Sequence, residues 1–288
     1  MPRERDPAVG TAFEEEARRR GFRLVAGVDE VGRGALAGPV VAAAVILDPE
    51  RPLPKGLNDS KKLTALQRER IAEELKATAV CYAVGLVPAE EVDRTNILVA
   101  TRRAMCDALE NLCPAAEFAL IDAVQLREIA LPHRAIIRGD SCCASIAAAS
   151  VVAKTYRDAL MRELHREFPH YGFDAHVGYG TRAHWEALRL HGPCAIHRRT
   201  FRGVVQDPEH PAIVEASDKP SGAAGPLDET SGVAEPPEGK PGAEESAAPR
   251  TQASNVARAE VTDLLHTDST DETQARERLG ERACGRAG

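Results

Sequence analysis

Residues 27–45, GVDEVGRGALAGPVVAAAV, contain two apolar runs separated by a glycine-rich turn. The first run extends back to Phe22 as FRLVAGVDE and ends in two carboxylates, and the second continues to Leu47 as GPVVAAAVIL. Apolar runs of this length, bounded by glycine and rich in valine, are typical of buried strands. The stretch therefore predicts two strands of a sheet, with acidic side chains at the end of the first strand.

Outward from this stretch, strand and helix patterns alternate. Further strands are predicted at CYAVGLVPA (81–89), FALIDAV (118–124) and AIIRGD (135–140). Helices are predicted at LTALQRERIAEELKATA (63–79) with Thr64 as N-cap, at ILVATRRAMCDALENL (97–112), from Ser141 until Pro169, and at HWEALRLHG (184–192). Strands followed by alternating helices and short buried strands predict an α/β domain on a mixed sheet.

The composition divides the chain near residue 205. The chain of 288 residues has a net charge of −7, but residues 205–288 carry 17 acidic against 8 basic residues, which leaves residues 1–204 at about +2. No aromatic residue follows Phe201, and the later residues are rich in Pro, Gly, Ala, Ser and Glu, so we expect an acidic, disordered tail. We therefore predict a charged N-terminal segment (1–20), a folded domain (21–204) and the tail (205–288).

Several classes of protein are disfavoured by the same composition. No apolar run reaches the ~18 residues of a membrane span, and the charged N-terminus does not read as a signal peptide. The 7 cysteines form no CxxC pair and no cluster with zinc spacing, so we expect reduced thiols in a cytoplasmic protein. We expect no membrane partner and a monomer. The mildly basic domain is compatible with a polyanionic partner but does not identify one.

Four acids end strand-like runs or stand at strand-to-helix junctions: Asp29, Glu30, Asp122 and Asp140. Ligands of open α/β sheets bind at the carboxyl ends of the strands, so we expect these side chains at one rim of the sheet. Converging carboxylates repel one another, and a bound Mg²⁺ or Mn²⁺ relieves that repulsion. Taken singly, each acid could equally be a cap or turn residue, and Asp140 in particular could cap the helix that follows it.

A glycine loop, Gly32-Arg33-Gly34, follows the first two acids. Neighbouring residues of a strand point to opposite faces, so Asp29 and Glu30 share one site if the strand breaks there, which glycine permits. Glycine also lets the backbone approach a ligand closely, and arginine is a natural phosphate donor. A plain turn would account for this loop as well.

Six ordered blocks give a more specific indication. The opening motif, then LNDSKKLT (57–64), ILVATRRAM (97–105), IDA (121–123), GDSCCASIAAASVVAKTYRD (139–158) and YGFDAHVGYGTRAHWEAL with GPCAIHRRTF resemble the ribonuclease HII family, the type 2 ribonucleases H. The resemblance covers roughly residues 21–202. It implies a ribonuclease H-like fold, with a five-stranded mixed sheet flanked by helices, and an endonuclease that hydrolyses the RNA strand of RNA–DNA hybrids, including ribonucleotides embedded in DNA.

The resemblance also implies roles for individual residues. By the family pattern, the four acids are the metal-binding catalytic carboxylates, and the products carry 5′-phosphate and 3′-hydroxyl ends. Gly32, Arg33 and Gly34 resemble the loop whose backbone senses the ribose 2′-hydroxyl, the group that distinguishes RNA from DNA. Tyr179 matches the tyrosine that stacks on the sugar at an RNA–DNA junction. We also take Lys61, Lys62 and Lys154 as candidate phosphate contacts, against the alternative of solvated surface lysines.

The sequence departs from the family pattern in two places. Val177 stands where the family usually has a lysine, and Cys142 and Cys143 stand where polar or charged residues are more common. Two other functions compete with the one implied: an acidic-site nuclease of the same fold acting on DNA, and a non-catalytic module that binds hybrids. The tail is either an interaction arm or a passive extension. The preferred metal, and the preference between single ribonucleotides and long hybrids, stay open.

Overall fold

A computed structural model describes residues 9–205, which form a five-stranded sheet flanked by helices. The strands are β1 (Val25–Val31), β2 (Val40–Ile46), β3 (Cys81–Val87), β4 (Phe118–Asp122) and β5 (His133–Ile136), in the order β3-β2-β1-β4-β5. β1 pairs antiparallel with β2, and β2 with β3, whereas β4 is parallel to β1 and β5 to β4. The predicted mixed sheet is confirmed.

Seven helices surround this sheet in the described residues. They are α1 (Ala12–Arg19), α2 (Ala65–Thr78), α3 (Ala89–Arg94), α4 (Ile97–Glu110), α5 (Ala144–Glu167), α6 (Phe173–His176) and α7 (Arg182–His191). Thr64 caps α2 as predicted, through a reciprocal capping box with Gln67. None of these helices is long and apolar enough to cross a membrane.

The inner strand β2 has helices on both of its faces. Val40, Ala42 and Ala44 belong to a buried cluster with α4, and Val41, Ala43 and Val45 to a second cluster with α2 and α5. The alternation follows from the period of two along a strand. A strand covered on both faces can be apolar throughout, which explains the unbroken run VVAAAVI.

Helix α5 lies unusually close to β1, because Gly27 has no side chain. A Cβ at Gly27 would overlap the backbone of Ser145 and Ile146. This close packing brings the middle of α5 beside the carboxyl end of β1. The small residues Ser145, Ala148, Ala149 and Ser150 are all buried, as expected for a packing face.

Three predicted boundaries are corrected by the structure. The strand predicted at 135–140 is β5 at His133–Ile136, and the helix predicted from Ser141 begins at Ala144. Between them Arg138 adopts a left-handed conformation with φ 57°, and Gly139–Ser141 form a 3-10 turn. Such a turn is local backbone geometry that apolar periodicity does not reveal.

The third correction concerns the N-terminal segment, which the sequence separated from the domain at residue 21. Helix α1 packs against the sheet, and Glu14 is fully buried. Its Oε1 accepts hydrogen bonds from the Ser145 backbone N–H at 2.7 Å and from Cys143 Sγ at 3.2 Å. Cys143, the N-cap of α5, makes no side-chain capping bond of its own. Glu14 therefore supplies the hydrogen-bond acceptor that the buried N-terminus of α5 requires.

We expect Glu14→Ala to lower the free energy of unfolding by about 1–3 kcal/mol, because the Ser145 N–H is then buried without an acceptor. Thermal denaturation measures the effect, at roughly 2–4 °C per kcal/mol for a domain of this size. Glu15→Ala, on the exposed side of the same helix, is the control. An unchanged melting temperature in Glu14→Ala would show that α1 does not cap α5.

The predicted disorder of the tail lies outside the described residues.

Candidate active site

The four predicted acids lie at the carboxyl ends of three adjacent strands. In the parallel pair β1–β4, Val28 aligns with Ile121. The residues that follow them, Asp29 and Asp122, therefore lie at the same height along the two strands. Asp140 lies in the 3-10 turn after β5, and the neighbouring Gly139 N–H donates to Asp122 Oδ1 at 2.7 Å. The alternative reading of Asp140 as the cap of α5 is wrong, because the N-cap is Cys143.

Burial raises the pKa values of three of these acids, and repulsion between carboxylates adds to the shifts of Asp29 and Asp122. Burial, followed by the charges of Glu30 and Asp122, raises the pKa of Asp29 well above its usual range, and a hydrogen bond from Ser150 opposes the shift. Burial and the Asp140 carboxylate raise the pKa of Asp122 to about 6. The folded chain therefore holds these groups in a site where ionisation is costly, which is typical of functional carboxylates.

Glu30 is the third acid of this edge, and only one of its two carboxylate oxygens has a hydrogen-bond partner. Burial raises its pKa, an effect that Arg33 opposes. Its Oε1 accepts from Arg33 Nη1 at 3.2 Å, whereas its Oε2 is buried with no hydrogen-bond partner. The predicted break between Asp29 and Glu30 is wrong, because β1 pairs regularly with β2 as far as Val31. The two carboxylates start from opposite faces of β1 and interact where the strand ends.

Lys61 and Ser150 lie beside the four acids, and each of them is bonded to one acid. Lys61 Nζ lies 3.1 Å from Asp140 Oδ2, while most of the lysine side chain remains exposed. Partial burial alone would lower the pKa of Lys61, but the carboxylates of Asp140, Asp59 and Asp29 together raise it. Ser150, which bonds Asp29, also lies 2.9 Å from Ser60 Oγ. Ser150, a residue of the small packing face, therefore also binds one of the four acids.

The donor set of this edge suits a hard divalent cation. Its ligating atoms are carboxylate oxygens, which Mg²⁺ and Mn²⁺ prefer. The unpartnered Glu30 Oε2 and the raised pKa values of Asp29 and Asp122 indicate negative charge that a cation would offset. Within residues 9–205, however, no three acidic, histidine or cysteine side chains stand close enough to form a coordination group. Sharing one ion would require these carboxylates to lie closer together than they do in this structure.

In the glycine loop, packing explains why residue 32 is a glycine but does not explain the glycine at residue 34. Gly32 has φ +90°, and a Cβ there would collide with the Arg157 side chain, so the fold itself requires glycine. Gly34 is exposed, and a Cβ there would meet nothing within 4 Å. Packing does not explain Gly34, and its bare backbone faces the surface beside Arg33. This geometry is compatible with close approach of a ligand to the loop.

Tyr179 lies half-buried in a loop bonded to the segment after the glycine loop. Gly178 O accepts from the Leu36 N–H at 2.8 Å. Arg157 Cζ and Lys154 Nζ lie 5.6 and 5.8 Å from the centre of the Tyr179 ring. Lys154 is also paired with Asp158 at 2.7 Å. The predicted Lys154 therefore lies ion-paired beside Tyr179, and its side chain is 20% exposed against 74% for Lys61, so it is the less accessible of the two lysines.

Two buried arginines that the sequence did not single out join these loops. Arg157 donates to the carbonyls of Pro39, Ala37 and Val177 at 2.8–3.0 Å. Arg198 donates to Arg33 O at 2.9 Å and twice to Gly38 O. Burial and the charge of Arg157 lower the pKa of Arg198 to about 9. An arginine within an apolar helix pattern is the only sequence feature that could have indicated Arg157.

Val177, the departure from the family pattern, has φ 45° and ψ 37°. A β-branched residue in the left-handed region carries strain of order 1–3 kcal/mol. The Arg157 Nη1 hydrogen bond to its carbonyl, at 2.8 Å, helps to hold this conformation. The valine thus lacks the charge of the usual lysine but keeps the turn that leads into Tyr179.

The five-stranded mixed sheet flanked by helices is a ribonuclease H-like fold. Two solved structures support the fold: ribonuclease H2 from Pyrococcus horikoshii (TM-score 0.54, 26% identity, 63% of this chain and 95% of that chain) and the ribonuclease HII of the PCNA complex from Archaeoglobus fulgidus (TM-score 0.55, 28% identity, 64% and 98%).

The sequence comparisons narrow this class to one family. The profile of the family "Ribonuclease HII" matches residues 26–204. Ribonuclease HII of Chlamydia caviae is 54% identical over 197 residues, which cover 68% of this chain and 92% of that protein. The chain belongs to the ribonuclease HII family and is an endoribonuclease of the ribonuclease H type. The match ends where the acidic tail begins.

Proposed function

We propose that this enzyme hydrolyses the RNA strand of RNA–DNA hybrids, and also cuts at ribonucleotides embedded in DNA, leaving 5′-phosphate and 3′-hydroxyl ends. The observation that carries the proposal is the acidic edge itself: four carboxylates at the ends of adjacent strands, with raised pKa values at Asp29, Glu30 and Asp122. One buried oxygen of Glu30 also has no hydrogen-bond partner. Family membership supports the same reaction class.

Asp29, Glu30, Asp122 and Asp140 would hold Mg²⁺ or Mn²⁺. Bound there, such ions lower the pKa of an attacking water and stabilise the departing 3′-oxygen. Gly139 orients Asp122 through its N–H, and Ser150 orients Asp29. Lys61, largely exposed beside Asp140, is placed to contact a phosphate of the substrate once that carboxylate turns to the metal.

Recognition of the ribonucleotide falls to the glycine loop and Tyr179. The backbone around Gly34 is exposed, so it can approach the 2′-hydroxyl, the group that distinguishes RNA from DNA. Arg33, partly exposed beside Glu30, is placed for a phosphate. Tyr179 presents a half-buried ring for stacking on the sugar at the junction, and Lys154 and Arg157 add positive charge next to it.

The direct test is cleavage of a DNA duplex that contains one ribonucleotide, with and without Mg²⁺, beside a continuous RNA–DNA hybrid and an all-DNA duplex. We expect metal-dependent cutting of the first two substrates, with reversible loss of activity in EDTA, and none of the third. Cutting of the all-DNA duplex would favour a DNA nuclease of the same fold. Binding of the hybrid without cleavage would favour a non-catalytic module.

The raised pKa of Asp122 predicts a pH dependence at limiting metal. Asp122 must ionise to bind a cation, and its pKa is raised to about 6 in the folded chain. We therefore expect cleavage at subsaturating Mg²⁺ to rise as the pH passes from about 5 to 7. At saturating Mg²⁺ the midpoint should move to lower pH, because the cation favours the ionised form. Rate profiles at two Mg²⁺ concentrations measure this, and coincident midpoints would contradict the assignment of Asp122 as a metal ligand.

A further inference from the structure

Three histidines that the proposed mechanism does not use lie together behind Tyr179. His184 and His197 are almost completely buried, and His176 stacks on His184 with ring centres 4.4 Å apart. Phe173 closes the cluster, with ring centres 5.5 Å from His184 and 5.6 Å from His197. Burial lowers the pKa of both buried histidines to about 4, so both rings are neutral near pH 7.

The end groups of this cluster fix the direction of its hydrogen bonds. Tyr179 O can only accept, so His184 Nδ1, 3.0 Å away, carries the proton. His184 Nε2 is then an acceptor, and it lies 3.0 Å from His197 Nε2, which must donate. His197 Nδ1 is in turn an acceptor, and the Cys194 N–H donates to it at 3.0 Å, with Cys194 Sγ at the same distance. One tautomer of each ring satisfies every contact.

This chain of hydrogen bonds ends at the backbone carbonyl of Tyr179. Tyr179 O also accepts from the Thr181 N–H at 2.8 Å, and the Tyr179 N–H donates to His176 O at 2.9 Å. Both sides of this residue are therefore held by backbone bonds, and His184 adds the one side-chain bond that comes from the protein interior. Such support restricts the orientation of a side chain that has to meet a substrate.

We propose that Cys194, His197 and His184 form a positioning relay that fixes the Tyr179 peptide and thereby sets the selectivity for a ribonucleotide–DNA junction. The inference rests on the junction-sensing role proposed for Tyr179. His184 and His197 do not touch the substrate in this proposal, and they act through Tyr179 alone.

Two substitutions at His184 separate positioning from packing. In His184→Asn the amide nitrogen lies near the place of Nδ1, so the donor to Tyr179 O is kept and the contact with His197 is lost. In His184→Gln the amide lies near the place of Nε2, so the contact with His197 is kept and the donor to Tyr179 is lost. Both variants lose the ring, and we expect similar losses of thermal stability.

The measurement is the ratio of kcat/KM for a duplex with one ribonucleotide to kcat/KM for a continuous hybrid. We expect His184→Gln to lower this ratio roughly fivefold, the effect of one ordinary hydrogen bond. His184→Asn should lower it less, because the direct donor to Tyr179 O is kept and only the orienting contact with His197 is lost. The fluorescence of Trp185, the only tryptophan, checks that each variant is folded. Equal ratios in the two variants would overturn the relay.

A second pair guards against a variant that does not fold. His197→Gln keeps an Nε2-like donor to His184, and His197→Asn removes it, so the ratio should fall only in His197→Asn. An unchanged ratio in His197→Asn would also overturn the relay. If the proposed function itself fails, the wild-type enzyme cuts neither substrate, or Tyr179→Ala leaves the ratio unchanged. Either result differs from a failure of the relay alone.

Discussion

Asp122→Asn is expected to abolish cleavage and, in metal-free buffer at pH 7, to raise the melting temperature. Both effects have one cause, the accumulation of carboxylates at the ends of β1, β4 and β5. The asparagine cannot provide the charged oxygen that a divalent ion requires, but its Oδ1 can still accept from the Gly139 N–H. Asp29→Asn should abolish cleavage in the same way, while binding of the hybrid survives in both variants.

The sign of the stability change follows from the raised pKa. The folded chain raises the pKa of Asp122 from 3.8 to about 6, so the folded state favours the protonated form. The resulting stability is fully present below pH 3.8 and is lost as the pH rises through about 6. Asparagine resembles the protonated acid at every pH. The gain in Asp122→Asn should therefore appear at pH 7 and vanish near pH 3.5–4.

The expected size is about 1–2 kcal/mol. One pKa unit corresponds to about 1.4 kcal/mol, and neighbouring carboxylates can relax, so the full shift of Asp122 is an upper bound. Thermal denaturation with EDTA, compared at pH 7 and pH 4, measures the gain. Asp48→Asn, which removes the same charge away from the acidic edge, is the control and should keep cleavage. A variant at Asp122 that cuts at the wild-type rate in Mg²⁺ would contradict the assignment.

Tyr179→Ala is expected to lower cleavage at a single embedded ribonucleotide roughly ten- to a hundredfold, because stacking on an aromatic ring is worth ~1–3 kcal/mol. Cleavage of a continuous hybrid should fall less, since every phosphate there is flanked by ribose. Tyr179→Phe keeps the ring and loses only the hydroxyl, so its effect should be milder. Metal binding should stay unchanged in both variants, because Tyr179 lies outside the acidic edge.

The competing interpretation makes Tyr179 a packing residue of its loop. Its ring lies within 6 Å of the cationic ends of Arg157 and Lys154, so truncation also removes contacts inside the protein. Under that interpretation the melting temperature falls and both substrates lose equally. Comparing the two cleavage rates with the melting temperature separates the interpretations. Equal losses on both substrates would contradict the junction-sensing role.

The sequence by itself determined the elements whose signals are local. Continuous apolar runs predicted the strands around Asp29 and Asp122, and Thr64 predicted the start of α2. The blocks that resemble the ribonuclease HII family indicated the fold and the four acids. Local signals failed where the backbone does something aperiodic: the 3-10 turn at Gly139–Ser141 moved the start of α5, and β1 continued past the predicted break.

Only the tertiary structure decided which distant residues meet. Glu14 caps a helix whose first residues lie 131 positions further along the chain, and Arg198 bonds a carbonyl 165 positions before it. Neither partnership leaves a periodic trace, because it depends on how helices and loops pack after the sheet has formed. The same holds for His184 and Tyr179, which are close in sequence but are joined to His197 and Cys194 only by the folded C-terminal loop. Hydrogen-bond partners of buried polar groups are set by packing, and packing is a property of the whole fold.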